Sequence, residues 1–277
     1  MEKRRSFRMR VKKLLVLCVS AVLAGSMLLA GCSKKEESKT DDSLQYVKDN
    51  KELILGLDAS FPPMGFTDKD QNIVGFDIDA AKEVTKRMGV KLKLQPINWD
   101  SKDQELEGKT IDCIWNGLTY SEDRAKEMLC SKSYMDNHQV LLVPVKSKIK
   151  SLKDVKKQQV GVQKGSTAAD AVDKTDELKN AKIVYFGNNV EILNDLGNGC
   201  DAAVMDEVVA KYYAKKDPGK FKILNDNLST EKYVIGFRSG DKKLCAEVEK
   251  QLKEMKKDGT LAKISKKWFG DDLTTIK

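Results

Sequence analysis

The sequence predicts an α/β protein of two lobes with a ligand cleft between them. Strand-like and helix-like segments alternate along the chain, as in parallel βαβ units, and they fall into two successive series. Two segments, 136–145 and 229–237, stand where the chain would cross between the series, suggesting a double-strand hinge. With 277 residues, 40% of them hydrophobic, the chain is long enough to bury a core in each lobe.

The first series opens with the apolar strand "ELILGLD" at 52–58. A helix follows at 76–89, stopped by Gly89, and then the alternating strand "VKLKLQPI" at 90–97. Next come "IDCIWN" at 111–116, a helix opened by the N-cap Ser121, and a strand at 138–145. In the second series "QVGVQ" at 159–163 is a strand that runs into "KGSTAADAV", read as turn, N-cap and helix. It continues with "AKIVYF", a helix near 190–196, the strand "DAAVMD" at 201–206, the helix "EVVAKYYAKK", "FKILND", and a strand at 232–238. Two helices, 242–257 and 260–269, close the chain, the first with Leu244, Val248, Leu252 and Met255 on one face. The lysines of that helix alternate with acids at i,i+4 spacing and make a solvated face.

The formal charge of +8 is concentrated at the N-terminus. Residues 1–31 hold seven Lys/Arg and one acid, leaving 43 basic against 41 acidic residues in the remainder. That near-neutral remainder removes the compositional support for nucleic-acid binding. A basic run, the apolar stretch "LLVLCVSAVLAGSMLLA" and then small residues make 1–31 a secretion signal. Its end, "LAGC" at 29–32, matches a bacterial lipobox with Cys32 as lipid acceptor. A flexible tether is expected through residue 50, with no apolar residue from 33 to 43. The folded part is therefore expected on the outer face of the cytoplasmic membrane, at the cell surface or in the periplasm.

Cys113, Cys130, Cys200 and Cys245 form no CxxC pair, and His138 is the single histidine, which makes a zinc site improbable. The cysteines read as small buried hydrophobes, with a Cys113–Cys130 disulfide left open. His138 lies in the hinge segment, so acid–base or nucleophilic catalysis has almost no candidates. Neither metal nor cofactor is expected.

Ligands of open α/β sheets bind beyond the carboxyl ends of strands. Asp58, Gly117, Thr119, Ser166, Thr167 and Asp206 fall at or just past such ends, and the aromatic residues Phe61 and Trp99 follow two others. Arg124 occupies the third position of the helix opened by Ser121, where the dipole disfavours a cation. A planar anion docking between the guanidinium and the helix N-terminus would explain that placement.

From about residue 51, "LGLDASFPPMGF", "NIVGFDIDAAKEV", "IDCIWNGLTYSEDR", "GVQKGSTAADAV", "DAAVMDE" and "GTLAKISKKWFG" together resemble the polar amino acid family of extracellular solute-binding proteins of ABC importers. The resemblance implies the type II periplasmic-binding fold, with lobe 1 at 51–138 plus 234–277 and lobe 2 at 139–233. It implies a free L-amino acid ligand, an ABC permease as partner, a monomer, and no enzymatic activity. By the same resemblance Arg124 pairs with the ligand α-carboxylate and Asp206 holds the α-ammonium. Gly117, Thr119 and Thr167 complete the clamp, Asp58 faces the ligand side chain, and Phe61 and Trp99 sandwich it.

Gln163 stands where glutamine-binding members of the family carry lysine. With Asp58 facing the side chain, the missing cation favours arginine or lysine over glutamine, leaving cystine and histidine open. Two other classes fit the same fold: a sensory lipoprotein and a dehydratase-like enzyme.

Overall fold

The computed structural model describes residues 40–277. The signal segment, the lipobox with Cys32 and the first part of the tether lie outside the described residues. Helix α1 (Ser43–Asn50) leads into β1 (Glu52–Leu57). Strands β2 (Ser60–Phe61), β3 (Gly65–Thr67) and β4 (Ile73–Val74) form a small antiparallel sheet. Helix α2 (Phe76–Met88), β5 (Lys91–Pro96), a 3-10 turn Trp99–Ser101 and α3 (Lys102–Glu107) follow. Then come β6 (Cys113–Thr119), α4 (Arg124–Glu127), β7 (Leu129–Cys130) and the long β8 (Met135–Pro144).

Beyond β8 the chain forms β9 (Gln159–Gln163), α5 (Thr167–Lys174), β10 (Lys182–Phe186), α6 (Asn189–Asp195), β11 (Ala202–Asp206) and α7 (Glu207–Lys216). It returns through β12 (Phe221–Phe237) and ends with α8 (Lys242–Lys257) and α9 (Thr260–Phe269). No helix among the described residues is long and apolar enough to cross a membrane.

The main sheet runs β10-β9-β11-β8-β12-β6-β1-β5, with β7 added to β12. Strands β5, β1 and β6 are parallel, as are β10, β9 and β11. Between these two groups β8 and β12 run antiparallel to each other over most of their lengths. The strand of each parallel group that adjoins the antiparallel pair is buried throughout: β6 at all seven positions and β11 at all five.

Helix α2 ends because Gly89 adopts φ 74°, a left-handed C-cap that glycine takes without a Cβ penalty. Its start also requires glycine: a Cβ on Gly75 would lie 2.1 Å from the Met64 carbonyl oxygen. In α8 the predicted face is the buried one, with Leu244, Val248, Leu252 and Met255 all in the core. Each such side chain contributes roughly 1.5–3 kcal/mol by leaving water. Helix α9 closes this side of the molecule through Phe269, whose ring lies 5.3 Å from that of Phe76, and through Trp268 Nε1, which donates to Asp79 at 2.8 Å.

Several expectations are corrected. The tether does not extend to residue 50: α1 folds onto α8, burying Val47 completely. Asp41 and Ser43 supply the cap that α8 lacks, accepting from the backbone N–H groups of Lys243 at 2.6 Å and Leu244 at 3.2 Å. The separate strands expected at 221–226 and 232–238 are one strand of 17 residues, β12, whose register against β8 shifts near Asn227. The helix expected to open at Ser121 is a single turn, α4, although Ser121 Oγ still accepts from Arg124 N at 3.2 Å. The small β2–β4 sheet and α3 were not anticipated, since "SKDQELEGKT" has only one apolar residue to mark a helical face.

Candidate functional site

The strand ends named from sequence converge on the region where the two parallel groups face each other. Asp58 follows β1, and its N–H donates to Asn116 Oδ1 on β6 at 3.0 Å. Its carboxylate accepts from the Ser60 N–H at 3.0 Å and from the Ser60 hydroxyl, an Asx turn that fixes the side chain. From the other parallel group, at the end of β9, Gln163 Nε2 donates to Asp58 Oδ2 at 2.8 Å. Gln163 is itself held through Oε1, which accepts from Asn189 Nδ2 at 3.0 Å. Burial raises the Asp58 pKa against these hydrogen bonds.

Gly117 has φ 60°, and a Cβ there would lie 2.9 Å from Phe61 Cε1, so the close approach of ring to backbone depends on glycine. Its N–H is held at 2.8 Å by Asp77, a fully buried acid that also accepts from Trp115 Nε1 at 3.1 Å and from the Tyr134 hydroxyl at 3.0 Å. Three donors favour the ionised form, but burial outweighs them and pushes the Asp77 carboxyl up to about 7. Trp99 lies apart from Phe61, packed with Leu106, Ile111 and Ile114, and Lys102 Nζ sits 5.6 Å from its ring.

Arg124 is half-buried. Its guanidinium donates to the Thr119 carbonyl at 2.7 Å and, across the cleft, to the Gly165 carbonyl at 3.2 Å. Lys102 Nζ donates to the same Gly165 oxygen at 3.4 Å. Arg124 forms no ion pair among the described residues, and burial lowers its pKa accordingly. An exposed Lys164–Asp100 pair at 2.8 Å spans the cleft nearby.

Asp206, at the end of β11, is buried and accepts from Asn137 Nδ2 at 2.5 Å and from the Tyr233 hydroxyl at 2.8 Å. Burial first, and then the negative charge of Glu231, push its carboxyl up to about 7. Thr119 Oγ1 donates to Glu231 Oε2 at 2.9 Å. Thr167 opens α5 behind the N-cap Ser166, with Gln139 Nε2 3.5 Å from its hydroxyl.

The residues named from sequence therefore form two clusters: Asp58, Gln163, Phe61 and Gly117 in one, and Thr119, Arg124, Thr167 and Asp206 in the other, with Trp99 and Lys102 beside Arg124. Asp77, Lys102, Asn137, Gln139 and Glu231 were missed. The legible signal for Asn137 and Gln139 was their i,i+2 spacing, which puts two polar side chains on the face that Met135 and Leu141 share, the buried one. His138, between them, points to the other face and meets Glu207 at 3.3 Å, lining a separate groove of about 440 Å³ with Pro63 and Trp268. The four described cysteines are free thiols. Among the described residues, no three His, Cys, Asp or Glu side chains converge as metal ligands would.

Residues 53–271 match the family model of bacterial extracellular solute-binding proteins, family 3. The chain belongs to this family. The solute-binding protein is 30% identical over 251 residues to the L-cystine-binding protein TcyJ of Escherichia coli K12, covering 89% of this chain and 93% of that one. It is 32% identical over 227 residues to the lysine/arginine/ornithine-binding periplasmic protein of the same organism, covering 78% and 86%. Its fold superposes with a TM-score of 0.82 on an ABC uptake transporter substrate-binding protein from Streptococcus pneumoniae with bound histidine, at 35% identity, covering 85% of this chain and 99% of that one. It is thus an amino-acid-binding member of the ABC-transporter substrate-binding proteins, and its relatives with named ligands span several side-chain types.

Proposed function

We propose that this solute-binding protein captures a basic L-amino acid, arginine or lysine, outside the cytoplasmic membrane and delivers it to an ABC permease. One observation carries the reading: a half-buried guanidinium, Arg124, and a buried carboxylate, Asp206, lie on opposite sides of the cleft, and neither is neutralised by an ion pair among the described residues. Isolated buried charges are costly, and a zwitterion whose carboxylate meets Arg124 and whose ammonium meets Asp206 satisfies both. The rigid fork of the guanidinium suits a carboxylate bidentately. Thr119, Thr167 and the Gly117 backbone then complete the clamp.

The side chain of the ligand extends toward Asp58, along the walls offered by Phe61 and Trp99. A buried carboxylate with Gln163 beside it, and no lysine, favours a cationic end group over a neutral amide. Lobe 1 (51–138 plus 234–277) and lobe 2 (139–233) each supply part of the clamp, and β8 with β12 would act as the hinge on which they close. Closure on the ligand is the shape the permease would read. The N-terminal segment would be cleaved before Cys32, whose lipidation anchors a monomer at the cell surface or in the periplasm.

The test is a thermal-shift screen of the twenty amino acids plus ornithine and cystine against protein refolded to remove carried ligand. A ligand at a hundredfold excess over Kd stabilises the fold by about 2.7 kcal/mol. Shifts confined to arginine, lysine and ornithine support the reading. A shift with cystine or glutamine instead would refute the assigned side chain, and no shift at all would refute amino acid capture.

A further inference from the structure

The clamp residue Thr119 and two amides of β8, Asn137 and Gln139, converge on one atom that has no assigned role. Glu231 Oε2 accepts from Thr119 Oγ1 at 2.9 Å, from Asn137 Nδ2 at 3.0 Å and from Gln139 Nε2 at 3.0 Å. The same Asn137 amide donates to Asp206 at 2.5 Å, and the Gln139 amide lies 3.5 Å from the Thr167 hydroxyl. One amide thus bridges two carboxylates. Glu231 is only 7% exposed and Asp206 6%. The other ends of both amides, Asn137 Oδ1 and Gln139 Oε1, are buried acceptors without a donor. Two acids and two unused acceptors at one place call for a compact cation with several N–H donors.

We propose that Glu231 joins Asp206 as a second anionic contact for the ammonium group of the bound amino acid, and that Asp206 holds an exchangeable proton which this group displaces. The inference rests on the amino acid reading above and deepens it. The two carboxylates share one amide and are both buried, so in an empty site Asp206, beside the charge of Glu231 and without a counter-charge, keeps a proton. Burial and the Glu231 charge raise Asp206 accordingly. The entering ammonium supplies the counter-charge, and the proton leaves to solvent.

The surrounding charges do not remove this need. From α4, Arg124 faces both acids but forms no ion pair with either. From β12, the Tyr233 hydroxyl donates to Asp206 and is itself held protonated by burial, with the Tyr134 ring 6.2 Å behind it. From α7, Glu207 is engaged by His138 at 3.3 Å and Lys211 at 2.7 Å.

The sign of the coupling is fixed. Below about pH 7 the proton competes with the ligand, so affinity falls as pH falls, by up to about tenfold per unit; above it affinity levels off. The experiment is titration calorimetry of the full protein with L-arginine between about pH 5.5 and 8, in two buffers of different ionisation enthalpy. Proton release approaching one per arginine at the acid end is expected. Glu231→Gln, which keeps the acceptor for Thr119 but removes the charge, should bind arginine about tenfold or more weakly at pH 8 and release less of a proton near pH 6.5.

Affinity independent of pH with no proton release in the unsubstituted protein would overturn the proposal, and that measurement needs no variant to fold. Weaker binding by Glu231→Gln with unchanged proton release would also overturn it, reducing Glu231 to a residue that orients Thr119. If arginine fails to bind but another amino acid binds, the same titration with that amino acid decides, since the ammonium is shared. Failure of every amino acid to bind would instead bring down the function on which the proposal rests.

Discussion

Gln163 Nε2 reaches across the cleft to donate to Asp58 Oδ2 at 2.8 Å, joining the end of β9 to the end of β1 through two side chains that are both buried. This contact sits where the ligand side chain is proposed to end. Asp58→Asn removes the charge while keeping an acceptor for Gln163. Hydrogen bonds to charged groups are worth about 1.5–3 kcal/mol, so arginine affinity should drop by about ten- to hundredfold while glutamine affinity changes little. Calorimetric titration of both amino acids checks this; an equal loss for both would show that Asp58 does not read the side chain.

Arg124→Ala should weaken binding of every amino acid, by about 2–5 kcal/mol, because it removes the cation proposed to pair with the ligand carboxylate. Circular dichroism should show an unchanged fold, since the guanidinium's contacts in the protein are two carbonyl oxygens at a cleft surface. Arg124→Lys should not restore affinity, as a point charge cannot replace the bidentate fork.

Asp77 offers a pH test of the fold. Its carboxyl is raised to about 7 in the folded protein, above its unfolded value, so the folded state binds the extra proton. Its contribution to stability is fully present below about pH 4 and is lost as pH rises toward about 7. Asp77→Asn keeps only one oxygen acceptor for the three donors of Gly117, Trp115 and Tyr134 and should be less stable overall. Its melting temperature should nonetheless gain on the unsubstituted protein as pH rises from about 4 to 7. Parallel melting curves across that range would mean Asp77 is ionised throughout.

Helix α1 belongs to the folded body, although it was expected in the tether. A chain beginning at residue 51 lacks the fully buried Val47 and both caps of α8. Burial of one valine and loss of capping together amount to about 3 kcal/mol, or about 5–10 °C in Tm for a domain of this size. Equal melting temperatures for chains beginning at 41 and 51 would show α1 to be dispensable.

What the sequence made legible follows from local physics. Asp58, Thr119, Gln163 and Asp206 end strands at the carboxyl edges of parallel sheets, and that position alone draws them to one cleft. Glu231 and Asn137 lie inside the antiparallel hinge strands, where polar residues read as solvent-facing alternation until β8 and β12 are seen to run through the middle of the sheet. Asp77 lies in the first turn of α2, where an acid is ordinary; only its contact with Gly117, 40 residues on in sequence, gives it a role. Lys102 gave no signal, since its burial depends on Gly165 from the opposite side of the cleft. Residues whose function depends on long-range contact are the ones that periodicity cannot find.

The most direct measurement compares L-arginine with agmatine, its decarboxylated analogue, by titration calorimetry against the refolded protein. Agmatine keeps the guanidinium proposed to meet Asp58 and the amine proposed to meet Asp206, but has nothing for Arg124. If Arg124 holds the α-carboxylate, arginine binds and agmatine is weaker by about 2 kcal/mol or more, roughly thirtyfold. Equal affinities would contradict the clamp and leave Arg124 as a cation that only ties Thr119 to Gly165.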